Sequence, residues 1–166
     1  MPLKPLRLDL ELVPATAWFS NIRGICSANT WTLICKRTYK AFDYRCGICG
    51  GKGLDHPVEC HETWHYGDLN HVMALTGLIA LCPDCHSVKH MGFTQTKGSM
   101  ALKRAIEHMA GINRISIEDC LMYISYHDDV MMLRSQYMWS LNHGSLTRAA
   151  PELLQDSKFL SLTMKG

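Results

Sequence analysis

The sequence predicts a small α+β protein with a metal-braced centre, an N-terminal helix and a C-terminal helical cap. Three observations carry that expectation. Two Cys-x-x-Cys pairs, Cys46-Gly-Ile-Cys49 and Cys82-Pro-Asp-Cys85, bracket a long interval. A strand-like segment, Val58-Glu59-Cys60, and a mostly apolar run, 69–81, that leads into the second pair lie inside that interval. The C-terminal third is patterned with helical spacing.

Element by element, Leu6, Leu8, Leu10 and Leu12 alternate with Arg7, Asp9 and Glu11, which reads as a short half-buried strand or an extended arm ended by Pro14. Trp31, Ile34, Cys35, Thr38 and Phe42 then fall on one helical stripe, with Ser27 or Asn29 as N-cap. The glycine-rich C-G-I-C-G-G-K-G reads as a zinc knuckle, where glycines permit positive φ and aim backbone amides at thiolates. After the second cysteine pair a helix is expected from His86 to Met91, stopped near Gly92. Another runs from Ser99 to Ala110, with Gly111 just beyond its end. The last begins at Ser116, where S-I-E-D has the shape of a capping box, and extends to about Trp139. Its apolar stripe would be Ile117, Leu121, Ile124, Met131, Met132 and Met138. Beyond Pro151 the pattern is weak, and a partly mobile tail is expected. The blocks are therefore 1–45 (arm and helix), 46–95 (metal-bound core), 96–150 (helical cap) and 151–166 (tail), all within one compact domain.

Composition bounds the function. A chain of 166 residues with formal charge +2 is not a polycation. It has no apolar run of membrane-spanning length, and its leucine-and-charge N-terminus lacks the apolar stretch of a signal peptide. Eight cysteines, four of them in hook spacing and without such a signal, point to the reducing cytoplasm and to metal rather than disulfides. Arg23, Lys36, Arg37, Lys40, Arg45 and Lys52 gather around the first hook, either as a phosphate-facing surface or as an ordinary solvated helix face. Cys46, Cys49, Cys82 and Cys85 supply the four thiolates of a closed, structural Zn²⁺ site.

The segments V-E-C-H-E and L-C-P-D-C-H-S-V-K-H, with their zinc hooks, resemble the HNH nucleases of the His-Me finger (ββα-metal) superfamily over residues 46–91. The flanks W-T-L-I-C-K-R-T-Y and R-S-Q-Y-M-W-S-L are similar to those of a subgroup of bacterial and phage HNH endonucleases. The resemblance implies a ββα-metal core and hydrolysis of phosphodiester bonds, in DNA. It implies that His61, His86 and His90 hold a catalytic divalent ion (Mg²⁺, Mn²⁺ or Zn²⁺), with Glu62 where the family has its base histidine. His65 is the substitute base, Glu59 a carboxylate behind a histidine ligand, and Arg37, Lys40, Arg45, Lys52 and Lys89 contacts to nucleic acid. The family's central Asn, which orients the base, falls on Gly77. That departure, with Glu62, supports a second expectation: a catalytically degenerate zinc protein that binds nucleic acid or inhibits a host protein, as a phage or mobile-element factor.

Other patterns carry less. H-E-T-W-H satisfies the H-E-x-x-H form of zinc proteases, but that motif needs a helix and here it continues a strand. Cys26, Cys35 and Cys120 read as core, Cys60 as a buried strand thiol, and His56 and His71 as loop residues. Trp64 and Tyr66 read as packing, and Arg134 and Trp139 as docking their helix.

Overall fold

Ser27 starts the first long helix by accepting a hydrogen bond on its hydroxyl from the Thr30 backbone N–H at 3.3 Å. In the computed structural model, which describes residues 5–18, 20–53 and 57–163, this is α2, Ala28–Ala41, preceded by a single turn, α1, Ile22–Ile25. His56 lies outside the described residues. An antiparallel hairpin follows, β1 (Glu59–Gly67) and β2 (Val72–Leu81), and leads directly into α3 (Pro83–Lys89). Thr76 is the extra residue of a bulge, since Thr63 pairs with Gly77 and Trp64 with Leu75. A two-residue β3, Ser140–Leu141, lies parallel to β2, so β1 forms one edge of the sheet.

The helices after the hairpin depart from their expected limits. α3 starts at Pro83, where the ring fits the first turn of a helix, rather than at His86. The chain breaks at His90 and resumes as α4, Met91–Thr96, so Gly92 lies inside a helix and does not end one. Met91 and Thr94 are buried there, and that packing outweighs the roughly 1 kcal/mol cost of a helical glycine. α5 (Ser99–Asn113) likewise runs through Gly111 and ends at Arg114, which takes the left-handed conformation at φ 55°. Asn113 explains the extra turn. Its side chain accepts from the Leu8 N–H at 3.0 Å and donates to the Leu8 carbonyl at 2.7 Å, stitching the N-terminal arm to the helix as a strand neighbour would.

α6 (Ile117–Arg134) opens on a true capping box between Ser116 and Asp119. It stops short of Trp139 because the Arg134 guanidinium grips Asp68 at 2.7 and 2.9 Å, and the Trp139 indole N–H donates to the Arg134 carbonyl at 2.9 Å. The expected stripe is also corrected. Cys120, Tyr123 and Ile124 face the core, whereas Ile117, Leu121, Met132 and Met138 are exposed. The tail is no loose end either. After α7 (His143–Ala149) and the 3-10 turn Pro151–Gln155, α8 (Ser157–Thr163) packs back on the protein. Leu153 and Phe159 are buried against Ile22, Ile34 and Leu75, and each such side chain contributes about 1.5–3 kcal/mol.

Two apolar clusters tie these pieces together. One joins Leu8 and Leu10 of the arm to the cysteine knuckle, Leu81, Val88, Met109 and Ile124. The other joins α1, α2, β2, α7 and the tail. Among its described residues, 5–14, the arm contains no strand, and it is anchored by the Glu11 N–H donating to the Lys89 carbonyl at 3.1 Å. Among the described residues, no helix is long and apolar enough to cross a membrane.

Candidate metal centres

The first knuckle is shaped by its glycines. A Cβ at Gly47 would stand 2.5 Å from a Phe42 ring carbon and 2.8 Å from Ile79, so only glycine lets the loop seat against the sheet. Gly50, at φ 77°, then turns the chain so that the Gly51 N–H points at the Cys49 sulfur from 3.3 Å. The second pair sits where β2 ends and α3 begins, and the His86 N–H donates to the Cys82 carbonyl at 2.9 Å in the helix's first turn. The four sulfurs of Cys46, Cys49, Cys82 and Cys85 all lie within 4.8 Å of one another. Cys49 and Cys82 are 3.6 Å apart, close to the roughly 3.8 Å edge of a tetrahedron with Zn–S bonds of about 2.3 Å.

Charge argues the same way. The hydrogen bond from Cys85 holds the Cys46 thiol down at about 4, while burial pushes Cys82 up to about 11 and Cys85 is raised by serving as that donor. A buried quartet of thiols cannot ionise together without a cation in its midst. These four cysteines could hold a zinc ion. The His108 ring lies behind them, with Nε2 3.2 Å from the Cys85 sulfur, a contact that nothing in the linear spacing announces.

A second cluster lies on the other side of α3. His61 of β1 meets His86 in α3 and His90 at its end, with one ring nitrogen of each within 4.8 Å of the others. The ring centroids are 4.6–5.2 Å apart and the planes nearly perpendicular, as edges turned toward one centre would be. Burial, with repulsion from His86, lowers His61 to about 3; burial, with repulsion from His61 and His86, does the same to His90. Both are therefore neutral near pH 7, the form in which imidazole binds metal. The Glu59 carboxylate hydrogen-bonds His86 Nδ1, and Glu11 Oε2 lies 3.2 Å from His61 Nε2. Each carboxylate engages one nitrogen of its ring and so orients it. Three imidazoles turned toward one point, with positions left open, fit a divalent metal.

This cluster lines a cavity of about 870 Å³ that wraps the free edge of β1. Glu62 of β1 also lines it and is tied to α1. Its Oε1 accepts the Ile22 N–H at 3.0 Å, while Oε2 is buried without a hydrogen bond. Burial pushes Glu62 up to about 7, against backbone hydrogen bonds that pull it down. Glu11 is raised to about 7 by the same cause.

Several sequence-derived site residues lie elsewhere. His65 is exposed and lines a separate depression with Ser145 and Arg148. It follows His61 along a strand and shares no helical face with it, so H-E-T-W-H is not a helical protease site. Lys89 is buried, only 7% exposed, with its ammonium on Asp9, and cannot reach a nucleic acid. Arg37 is held by Glu152 and the Ala149 carbonyl. Lys40, Arg45 and Lys52 are exposed but do not line the histidine cavity. Arg23 does. Gly77 lies in β2 opposite Thr63. Cys35 and Cys60 are half-buried rather than core residues. Glu11 is a site residue that no motif in the sequence marks. Its signal was an acid alternating with core leucines.

No family model matches the chain, and neither a curated protein nor a solved structure matches it.

Proposed function

We propose that this chain is a metal-dependent endonuclease of the HNH type, hydrolysing phosphodiester bonds in DNA. The observation that carries the reading is the hairpin-then-helix order of β1, β2 and α3, which brings His61 together with His86 and His90 beside a separate four-cysteine cluster. His61, His86 and His90 would hold a divalent ion, which would supply a Lewis acid for the scissile phosphate and the leaving oxygen.

The protein's own groups have distinct tasks. Glu59 and Glu11 fix the rings of His86 and His61. Glu62 is the proton acceptor for the attacking water. One of its oxygens is tethered to Ile22 and the other is unpaired. A carboxyl group near 7 also has the base strength that general-base catalysis near neutral pH calls for. The four-cysteine zinc is structural in this scheme.

The test is cleavage of supercoiled and linear DNA by purified protein with Mg²⁺, Mn²⁺ or Zn²⁺. Activity that EDTA abolishes and His61→Ala removes supports the reading. No cleavage of DNA or RNA with any of these ions would overturn it in favour of a scaffold that binds without cutting. The second reading has one observation of its own: at Gly77 no side chain is present to orient a base.

A further inference from the structure

Part of the lining of the histidine cavity is aromatic. Two large aromatic residues that line it are mostly exposed, Trp18 at 62% and Phe93 at 63%. Neither packs a core. The Trp18 indole N–H donates to the Val13 carbonyl at 3.0 Å, which fixes the ring's orientation. The Lys97 ammonium lies 4.6 Å from the centre of the Phe93 ring, and Arg23 is exposed on the same cavity. Deeper in, the walls are the Trp31 and Trp64 side chains and the two carboxyl groups of Glu11 and Glu62.

We infer that this lining is a clamp for an unpaired strand, so that the substrate presented to the histidines is single-stranded or locally opened nucleic acid. The inference rests on the phosphodiesterase reading and names its substrate. Bases within a duplex are stacked on one another, and their faces are not available to protein rings. An unpaired base has two free faces, and stacking on an aromatic side chain tolerates any sequence. Trp18, oriented by its indole hydrogen bond, and Phe93 supply such faces. Arg23 and Lys97 supply positive charge for the flanking phosphates. The cavity is large enough for a nucleotide, which falls within the usual 300–1,000 Å³ range of ligand sites. An open duplex-binding surface would need none of these walls.

The experiment uses the full-length, zinc-loaded protein with no other divalent ion added. Fluorescence anisotropy measures binding of a labelled single-stranded oligonucleotide and of a blunt hairpin duplex of equal length. The single strand is expected to bind at least about tenfold tighter. Trp18→Ala and Phe93→Ala should each weaken it by about tenfold, and Trp18→Phe and Phe93→Tyr should retain it, as base stacking requires. Both positions are exposed, and zinc content with circular dichroism reports that the variants fold. Equal or tighter binding of the duplex overturns the clamp, as does single-strand binding that survives both alanine changes together. If the protein nevertheless cuts duplex DNA with added metal, the nuclease reading stands without the clamp. If neither strand form is bound or cut, both fall.

Discussion

Glu11 Oε2 lies 3.2 Å from His61 Nε2, and the same carboxylate accepts the Trp64 N–H at 2.8 Å with its other oxygen. The arm thus caps an exposed donor on the edge strand and holds a ring of the histidine cluster in one movement. Its own anchor is the second cluster's helix, since the Glu11 N–H donates to the Lys89 carbonyl. Arm, strand and helix meet at one histidine.

Glu11→Ala should therefore loosen metal at the histidine centre without touching the cysteine zinc. Loss of a carboxylate behind a histidine ligand typically costs about 10–100-fold in affinity. Glu11→Gln keeps an acceptor for Trp64 and should lose less. Calorimetric titration of zinc-loaded protein with Mn²⁺ or Zn²⁺ measures both. Unchanged affinity in Glu11→Ala would mean that His61 is held by packing alone.

Much of this arrangement was legible in the chain, and the reasons differ by element. The cysteine cluster was, because two hooks of fixed spacing constrain one ion whatever the intervening fold. Ser27 and Ser116 were, because caps are local hydrogen bonds. Helix ends set by tertiary contacts were not. Gly111 looked like a terminus until Asn113 is seen pairing with Leu8, far away in sequence. Glu11 was hidden for the same reason: its partners are about fifty residues away, and the alternation that buries Leu10 said nothing about His61.

The cysteine cluster makes the firmest prediction. Purified protein should carry one tightly bound Zn²⁺, and Cys82→Ala should lose it together with thermal stability and solubility. The knuckle and β2 end share the main apolar cluster, so releasing the ion frees the loop that carries Ile48 and exposes part of that core. Elemental analysis and a melting curve check this. Stoichiometric zinc in Cys82→Ala, or a melting temperature unaltered by chelation, would sink it.

Asp156 gives a pH dependence away from either metal centre. It is buried, and burial alone would raise it. Hydrogen bonds from the Thr30 and Ser27 side chains and from the Phe159 and Ser27 N–H groups outweigh that and hold it well below the usual carboxylate range. A carboxyl group depressed in the folded state contributes stability that is present above its unfolded value of about 4 and is lost as pH falls through the folded value. Asp156→Asn should cost about 1–3 kcal/mol at pH 7. Denaturant titrations from pH 6 down to pH 2 should show the variant losing less further stability than the wild type. Parallel losses would place the acid sensitivity elsewhere.

Gly77 separates a weakened nuclease from a wrong family. A Cβ built there meets only the Thr63 hydroxyl oxygen at 3.4 Å, and the backbone is not in the left-handed region, so Gly77→Asn has room to fold. The melting temperature should stay within a few degrees of wild type. A gain in metal-dependent cleavage would mean that the missing side chain limits base orientation. No gain, in a folded variant of an active protein, would mean that Glu62 is oriented by Ile22 instead.

The proton acceptor can be located by comparing two variants. Glu62→Gln preserves shape and the acceptor for the Ile22 N–H but removes the group that takes water's proton. Cleavage should fall by about 10²–10⁴-fold, the usual scale for a general base, with metal affinity unchanged. His65→Ala should do almost nothing, since that ring is exposed in a depression apart from the other histidines. The rate of the wild type should rise with pH up to about 7, where Glu62 loses its proton, and then level off. In Glu62→Gln that limb should disappear. If His65→Ala is inactive while Glu62→Gln cuts normally, the strand must reorganise when metal and substrate bind. The edge position of β1, fastened on its open side at Trp64 by the Glu11 carboxylate, is where such a change would begin.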